Sequence, residues 1–240
     1  MKEYVLVFGF SHHKALNYFL PQGYIVEKND EHLGFIIKIA NTKTLASYNV
    51  HLTNASKKLL ELSESISNKA LLKKYNAKTR KVKPIELLIK EAGFKQIITQ
   101  YIDLILKGVF EYLKKTNIPI AIPVDRRMPF QMQQVPFSQV VLEPKFYFQK
   151  TQDFLEYQLT FFENEKEVFP SEEDLIIVLD NPGLIKYNRK LHSISNVNAN
   201  KFTPFLTKRV LKIPNKHSTL YFNKFIKNIV KKSPIEAKGF

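Results

Sequence analysis

Short apolar runs alternate with turn residues at the start of the chain, a pattern typical of a small antiparallel sheet. Val5–Phe8 is a β-branched and aromatic run, and we predict that the segment Gly9–His13 ends it. Tyr24–Val26 and Phe35–Ile39 follow, separated by the turn-like pair Asn29–Asp30. The pattern therefore predicts three strands in this region.

The spacing of apolar residues becomes helical from Thr53 onward. Thr53 or Asn54 can act as the N-cap, and Leu59, Leu62 and Ile66 recur every three or four residues. A helix that packs one face against a core has this spacing. We expect this helix to continue through Leu71 and Leu72.

Further helices are predicted after that one. The stretch through Leu71–Leu72 leads into a basic connector, Lys73–Pro84, and Leu87–Glu91 can form a short helix that Gly93 ends. The clearest helix runs over Lys95–Lys115. Its apolar stripe consists of Ile98, Tyr101, Ile102, Ile105, Val109 and Tyr112 or Leu113.

The second half of the chain has a period of two residues, which is typical of strands. Pro119–Val124 is predicted as an edge strand because its prolines have no N–H to donate. We further predict a β-hairpin of Val140–Phe148 and Phe154–Phe162, and strands at Leu175–Leu179, Leu184–Tyr187 and Leu191–Ile194. A helix from Ser218 to Lys232 would close the chain, with Phe222, Phe225, Ile226, Ile229 and Val230 on its apolar face.

These elements predict an α+β fold. The first half would be helical with a short N-terminal sheet, and the second half mostly antiparallel β, closed by a basic amphipathic helix. The change of period near Asn117 suggests two subdomains, 1–117 and 118–240, which can also form one continuous domain.

Charge is unevenly distributed along the chain, whose formal net charge is +15. Between Gln152 and Asp180, Lys166 is the single cation among many acids, and from Gly183 to the end Glu236 is the single acid among many cations. A genome rich in lysine codons would raise lysine everywhere, so this segregation favours a polyanionic partner. Such a partner would be bound through its phosphates, with little reading of base sequence.

Several classes of chemistry lack their usual sequence signals. The chain has no cysteine, which excludes disulfides, thiolate metal sites and cysteine nucleophiles. It has no phosphate-binding glycine loop, and the adjacent His12 and His13 would point to opposite faces of a strand. We therefore expect no metal, no cofactor and no catalytic residue, and we interpret the chain as a non-catalytic protein. With no signal peptide and no apolar run of about 20 residues, a cytoplasmic location is expected.

Two parts of the sequence resemble a known family. Leu59–Tyr75 resembles the LxLxDxxSDxxLxxxFS segment in the N-terminal region of bacterial helicase-like proteins of the Swi/Snf type. A second set of matches follows that region's order and spacing, comprising Leu179–Pro182, Lys190–Ile194, Lys201–Lys208, Ile213–Pro214, Tyr221–Ile226 and Ile235–Phe240. In that family the region precedes a two-lobed, DNA-dependent ATPase. The resemblance implies an N-terminal accessory portion, and the chain contains none of the family's ATPase motifs.

The sequence thus predicts an accessory domain that binds duplex or single-stranded DNA electrostatically and positions or regulates an attached ATPase. The alternative is a protein-interaction or autoinhibitory module that docks on the ATPase lobes without binding DNA. The predicted phosphate contacts are Lys208, Arg209, Lys212, Lys224, Lys227 and Lys231, with Arg126, Arg127, Lys78, Arg80 and Lys81 as further candidates.

Overall fold

The computed structural model of this chain describes residues 2–30, 32–76, 84–91, 93–163, 165–168, 175–195, 198–206, 208, 210–223, 227 and 235–238. By its internal contacts the chain divides into two compact units, Met1–Pro136 and Phe137–Phe240. Each unit combines helices with strands, so the protein belongs to the α+β class, as predicted.

A mixed sheet forms the centre of the first unit. Its strands are β1 (Glu3–His13), β2 (Tyr18–Asn29), β3 (His32–Ile39) and β4 (Ile120–Ala121). Among the described residues their order in the sheet is β3-β2-β1-β4. The pairs β1–β2 and β2–β3 are antiparallel, whereas β1 and β4 are parallel.

The prediction that Gly9–His13 ends the first strand is wrong, because β1 continues to His13. Gly9 is paired with Gln22 of β2 inside the ladder. A Cβ on Gly9 would lie 2.7 Å from both the Tyr24 ring and Val124. The glycine is therefore needed for close packing on the face of the sheet, and it does not interrupt the strand.

The first unit also contains helices, some of which pack against this sheet. Their bounds are α1 (Thr42–Ser47), α2 (Asn54–Ser65), α3 (Asn68–Asn76), α4 (Ile85–Leu88), α5 (Phe94–Thr116) and α6 (Phe130–Gln133). Phe10 of β1 stacks on Phe110 of α5 with ring centroids 5.1 Å apart. Gly23 of β2 lies against Leu60 of α2 so closely that a Cβ would be 2.7 Å from the leucine. The burial of these apolar contacts fixes both helices on the sheet.

The predicted helices are confirmed with shifted boundaries. Thr53 is the N-cap of α2, as predicted, and its hydroxyl accepts a hydrogen bond from the backbone N–H of Ser56 at 3.1 Å. The helix does not continue through Leu71, because Ser67 accepts from the backbone N–H of Ala70 and begins α3. Gly93 does not end α4 but precedes α5 as its N-cap, with φ of 75°.

Residues between Asn117 and Pro136 belong to the first unit, although the sequence suggested a boundary near Asn117. The backbone N–H of Phe8 donates to the carbonyl of Pro119 at 2.9 Å, and the backbone N–H of Val135 donates to the carbonyl of Ile120 at 2.8 Å. Phe130 is fully buried in the cluster that contains Val7 and Tyr24. The change from helical to strand periodicity therefore precedes the division between the units.

Two sheets make up the β structure of the second unit. Their strands are β5 (Glu143–Lys150), β6 (Phe154–Glu163), β7 (Lys166–Val168), β8 (Ile176–Leu179), β9 (Leu184–Tyr187), β10 (Lys190–Ser193), β11 (Val210–Pro214) and β12 (Ile235–Lys238). In the described part of the chain, the larger sheet has the order β11-β6-β5-β12, with β7 also paired to β6, and the smaller has the order β10-β9-β8.

The predicted hairpin is β5–β6, and it supplies the core of the second unit. Phe148 and Tyr157 stack with centroids 4.4 Å apart, and Phe205, from a 3-10 helix (Ala199–Leu206), meets Tyr157 edge to face at 4.8 Å. Burial in this cluster raises the pKa of the Tyr157 hydroxyl. Alternate residues of both strands point inward, so the aromatic side chains of the hairpin lie together on one of its faces.

The end of the chain differs from the prediction where it can be compared. Helix α7 spans Asn215–Tyr221 and begins before the predicted Ser218. Most of the predicted closing helix after Asn223 lies outside the described residues. Strand β12, which pairs in parallel with β5, was not predicted. Among the described helices, none has the length and apolar character that a membrane crossing requires.

We predict opposite effects of glycine-to-alanine substitutions at two positions of the first unit. Gly9→Ala places a methyl group against Tyr24 and Val124 and should lower the free energy of unfolding by about 1–3 kcal/mol. Gly108→Ala, inside α5, meets Leu62 at an ordinary 3.4 Å and should raise it by up to about 1 kcal/mol. Urea denaturation of both variants measures the difference, and equal effects would contradict the packing described for Gly9.

A second prediction concerns His192, which is buried and has a lowered pKa, chiefly because burial disfavours the charged ring. Below about pH 6.5 the unfolded chain binds a proton that the native ring resists. The thermal unfolding midpoint should therefore fall as the pH is lowered from about 7.5 to about 5.5. His192→Gln should reduce this dependence, whereas His217→Gln, at an exposed site, should leave it unchanged. An identical pH profile for wild type and His192→Gln would contradict the prediction.

Candidate nucleic-acid interface

Pairing with β6 determines the orientation of the basic strand β11. The two strands are antiparallel, with Lys212 opposite Glu156. Leu211 and Ile213 pack against the aromatic core, so Lys212 between them projects from the other face with 61% of its side chain exposed. Its Nζ lies 3.1 Å from Glu156 Oε1. The predicted phosphate contact at Lys212 is therefore exposed and ion-paired.

The other described cations of this region are exposed. Lys208 precedes β11, Lys216 lies on α7, and Lys227 follows in the described part of the chain. No Asp or Glu occurs between Asn181 and Ile235 in the sequence, so local charge in this segment is positive throughout. An exposed cation bound only to water can exchange that water for a phosphate oxygen. We define Lys208, Lys212, Lys216 and Lys227 as the basic segment.

Six of the predicted contacts cannot be placed. Arg209, Lys224 and Lys231 lie outside the described residues, as do the connector residues Lys78, Arg80 and Lys81. For these positions the role in binding phosphate stays a prediction from the sequence.

Arg126, in the first unit, is held against an aromatic ring. Its guanidinium carbon lies 5.1 Å from the centroid of Tyr24, and its Nη2 donates to the Tyr24 hydroxyl at 3.2 Å. That hydroxyl donates in turn to Gln22 Oε1 at 3.2 Å. Cation–π contact and hydrogen bonding fix the guanidinium on the sheet. Arg126 therefore has part of its donor capacity engaged within the protein.

Arg127 is far more exposed, and a carboxylate neutralises it. Its Nε and Nη2 donate to the two carboxylate oxygens of Asp125 at 3.0 and 2.8 Å, and its backbone N–H donates to Oδ1 at 2.9 Å. These bonds, the side-chain ones most of all, lower the pKa of the Asp125 carboxyl to about 2. The carboxylate is thus ionised at neutral pH and competes with phosphate for Arg127.

A glutamine holds this loop in place, which was not predicted from the sequence. Gln133 Nε2 donates to the carbonyls of Asp125 and Met128 at 2.8 and 3.1 Å, and its Oε1 accepts from the backbone N–H of Asp125 at 2.7 Å. The loop is therefore ordered by a side chain from α6. No periodic pattern in the sequence predicts this contact or the one between Arg126 and Tyr24. Gln133 reaches back to an irregular loop, and Tyr24 is about a hundred residues away from Arg126 in the sequence.

The paired histidines do not face a common site. His12 Nε2 lies 3.1 Å from Asn17 Oδ1, and His13 Nδ1 accepts from the backbone N–H of Leu16 at 3.3 Å. Both rings are thus involved in the turn that follows β1. Throughout the described residues, no group of three or more His, Asp or Glu side chains is placed to hold a metal ion.

Comparisons with known proteins found no relatives: the chain matches no protein-family model, no curated protein and no solved structure.

We predict that the carboxylate of Asp125 restrains Arg127 from binding phosphate. Asp125→Asn keeps an oxygen for the backbone N–H of Arg127 but removes the negative charge, so affinity for nucleic acid should rise severalfold. Arg127→Gln in the wild-type background should change affinity little, because that charge is already paired. Fluorescence anisotropy of labelled duplex DNA measures both effects. Equal affinity for wild type and Asp125→Asn would contradict this restraint.

Proposed function

We propose that this protein is a non-catalytic module that binds DNA through electrostatic contacts and positions or regulates an attached ATPase. The basic segment of the second unit is its main phosphate-binding surface. The loop at Arg126 and Arg127 contributes less, because both guanidinium groups already have partners within the protein.

A single observation carries the DNA-binding part of this proposal. The positive charge of the second unit is concentrated in a stretch without acids, and the lysines of the basic segment are exposed. Lys212 illustrates how the fold achieves this, since its neighbours Leu211 and Ile213 pack inward and leave the ammonium group outside. An array of solvated lysines attracts a polyphosphate chain and gains free energy by releasing its counterions.

The type of contact determines the expected specificity. Lysine binds phosphate as a mobile point charge and lacks the fixed, planar donor pair that arginine presents to guanine. The basic segment should therefore bind DNA with little preference for base sequence and with strong dependence on salt. A module of this kind suits a motor that moves along DNA of any sequence.

The accessory role is supported by the sequence resemblance to the N-terminal region of Swi/Snf-type proteins. The matching stretches include Lys201–Lys208 and Ile213–Pro214, which surround the start of the basic segment. We infer that the module holds DNA beside the motor and leaves ATP hydrolysis to the ATPase lobes.

Neutralising three exposed lysines of the basic segment should weaken binding. The triple variant Lys208→Gln, Lys216→Gln and Lys227→Gln removes up to three phosphate contacts, so the slope of log affinity against log salt should become shallower by about 2–3. The matched control carries Lys43→Gln, Lys57→Gln and Lys107→Gln, which are exposed lysines of the first unit. This control has the same net charge as the triple variant of the basic segment but should bind almost as tightly as wild type. Anisotropy titrations at several salt concentrations provide both slopes.

The outcomes separate the candidate functions. Equal loss in both triple variants would mean that net charge alone drives binding, without a defined surface. Undetectable DNA binding by the wild-type chain at low salt would reject the proposal. That result would favour the alternative, a protein-interaction or autoinhibitory module whose basic surface meets acidic protein.

A further inference from the structure

A cleft of about 290 Å³ lies between the tip of the β5–β6 hairpin and α7 in the second unit. Its lining includes Lys150, Leu155, Ser218, Thr219, Phe222 and Asn223. The cleft belongs to none of the contacts described for the basic segment, yet it adjoins that segment in sequence, between Lys212 and Lys227.

The walls of this cleft are held by a network of hydrogen bonds. Asn215, the first residue of α7, donates from Nδ2 to the carbonyls of Thr151 and Gln152 at 3.2 and 2.7 Å. Its backbone N–H donates to the backbone carbonyl of Asp153 at 3.0 Å. Within the hairpin tip, the hydroxyl and the N–H of Thr151 both donate to the carbonyl of Phe154, at 2.9 and 2.8 Å. The hairpin and α7 thus form a preorganised wall, which lowers the entropic cost of binding a ligand.

The lining combines apolar and polar side chains. Leu155 is buried, and the half-buried ring of Phe222 lies against Phe148 with centroids 6.0 Å apart. The lining also includes two hydroxyl side chains, two amide side chains and Lys150. A ligand that suits all of these groups has a planar apolar body, hydrogen-bonding edges and a negative charge close to the ring.

We propose that this cleft binds one unstacked nucleotide of a single strand, with its base against Phe222 and Leu155 and its phosphate on Lys150. The inference rests on the proposed function, because the basic segment would guide the strand past the cleft. Stacking of a base on an aromatic ring is tolerant of sequence, which suits the lysine contacts nearby. A paired base in a duplex is stacked on both faces and cannot enter, so the cleft gives the protein a preference for single strands.

The size and charge of the cleft favour this ligand over other classes. Its volume is at the small end of the range for ligand sites, and it accommodates one ring system with its immediate substituents. A free phosphate ion would leave the apolar side chains of the cleft unused. The positive surroundings disfavour a cationic occupant, and a purely apolar side chain would leave the polar groups of the lining without partners.

The test fills the cleft without removing any charge. Thr219→Phe adds a ring at an exposed position of α7 that lines the cleft, and His217→Phe adds the same ring at an exposed position of α7 outside the lining. Anisotropy with an oligothymidine strand and with a duplex of equal length gives a ratio of affinities. We expect wild type and His217→Phe to prefer the single strand, and Thr219→Phe to lose about fivefold or more in single-strand affinity with duplex affinity unchanged.

A second titration separates this inference from the proposed function. Thymidine monophosphate should shift the amide resonances of α7 in wild type and His217→Phe but not in Thr219→Phe. If wild type binds DNA but the monophosphate shifts nothing and Thr219→Phe keeps its single-strand affinity, the cleft is not a nucleotide site and the DNA-binding proposal stands. If the monophosphate binds in the cleft and DNA does not bind, the cleft stands and the proposed function is wrong. If wild type binds neither the monophosphate nor DNA, both the nucleotide site and the proposed function are wrong.

Discussion

The position of the candidate interface in the second unit depends on the antiparallel pairing of β11 with β6. This pairing places Leu211 and Ile213 against the aromatic core and directs Lys212 outward beside Glu156. A slip of one residue would exchange these faces and bury the lysine among phenylalanines. The hydrophobic alternation of a five-residue strand therefore determines where the charge is displayed. The same core depends on the stacking of Phe148 on Tyr157 across the hairpin.

Elements whose signals are local were predicted from the sequence. The helix α5 has a complete apolar stripe, the β5–β6 hairpin alternates on both sides of a polar turn, and Thr53 has the side chain that an N-cap requires. Local periodicity and capping are properties of consecutive residues, which makes them visible without a structure.

Features that depend on distant partners could not be predicted in this way. Gly9 looks like a strand breaker, and only the approach of Tyr24 and Val124 shows why a glycine continues the strand. β12 is a short segment whose partner β5 lies far away in the chain. The same reason applies to the candidate site, where the stacking of Arg126 on Tyr24 could not be recognised from the loop sequence alone.

Pairing of charges within the protein, in addition to their number, determines what the basic surface can bind. Arg127 is highly exposed, yet Asp125 holds it in a bidentate contact, and Lys212 has Glu156 beside it. Exposed ion pairs of this kind contribute little to stability, but the acid's negative charge stays beside the cation and opposes an approaching phosphate. Lys208, Lys216 and Lys227, by contrast, have no acid close to them in the sequence. Charge segregation along the chain thus has a physical consequence that net charge alone does not describe.

The central claim is that the chain binds nucleic acid through released counterions, and the salt dependence of binding by the unmodified chain tests it most directly. Labelled single-stranded and duplex DNA are titrated with the protein at about 50 and 200 mM salt and followed by fluorescence anisotropy. The account predicts micromolar or tighter binding at the lower salt concentration, with a loss of about tenfold or more at the higher one. Absence of binding at 50 mM, or affinity that does not change with salt, would contradict it.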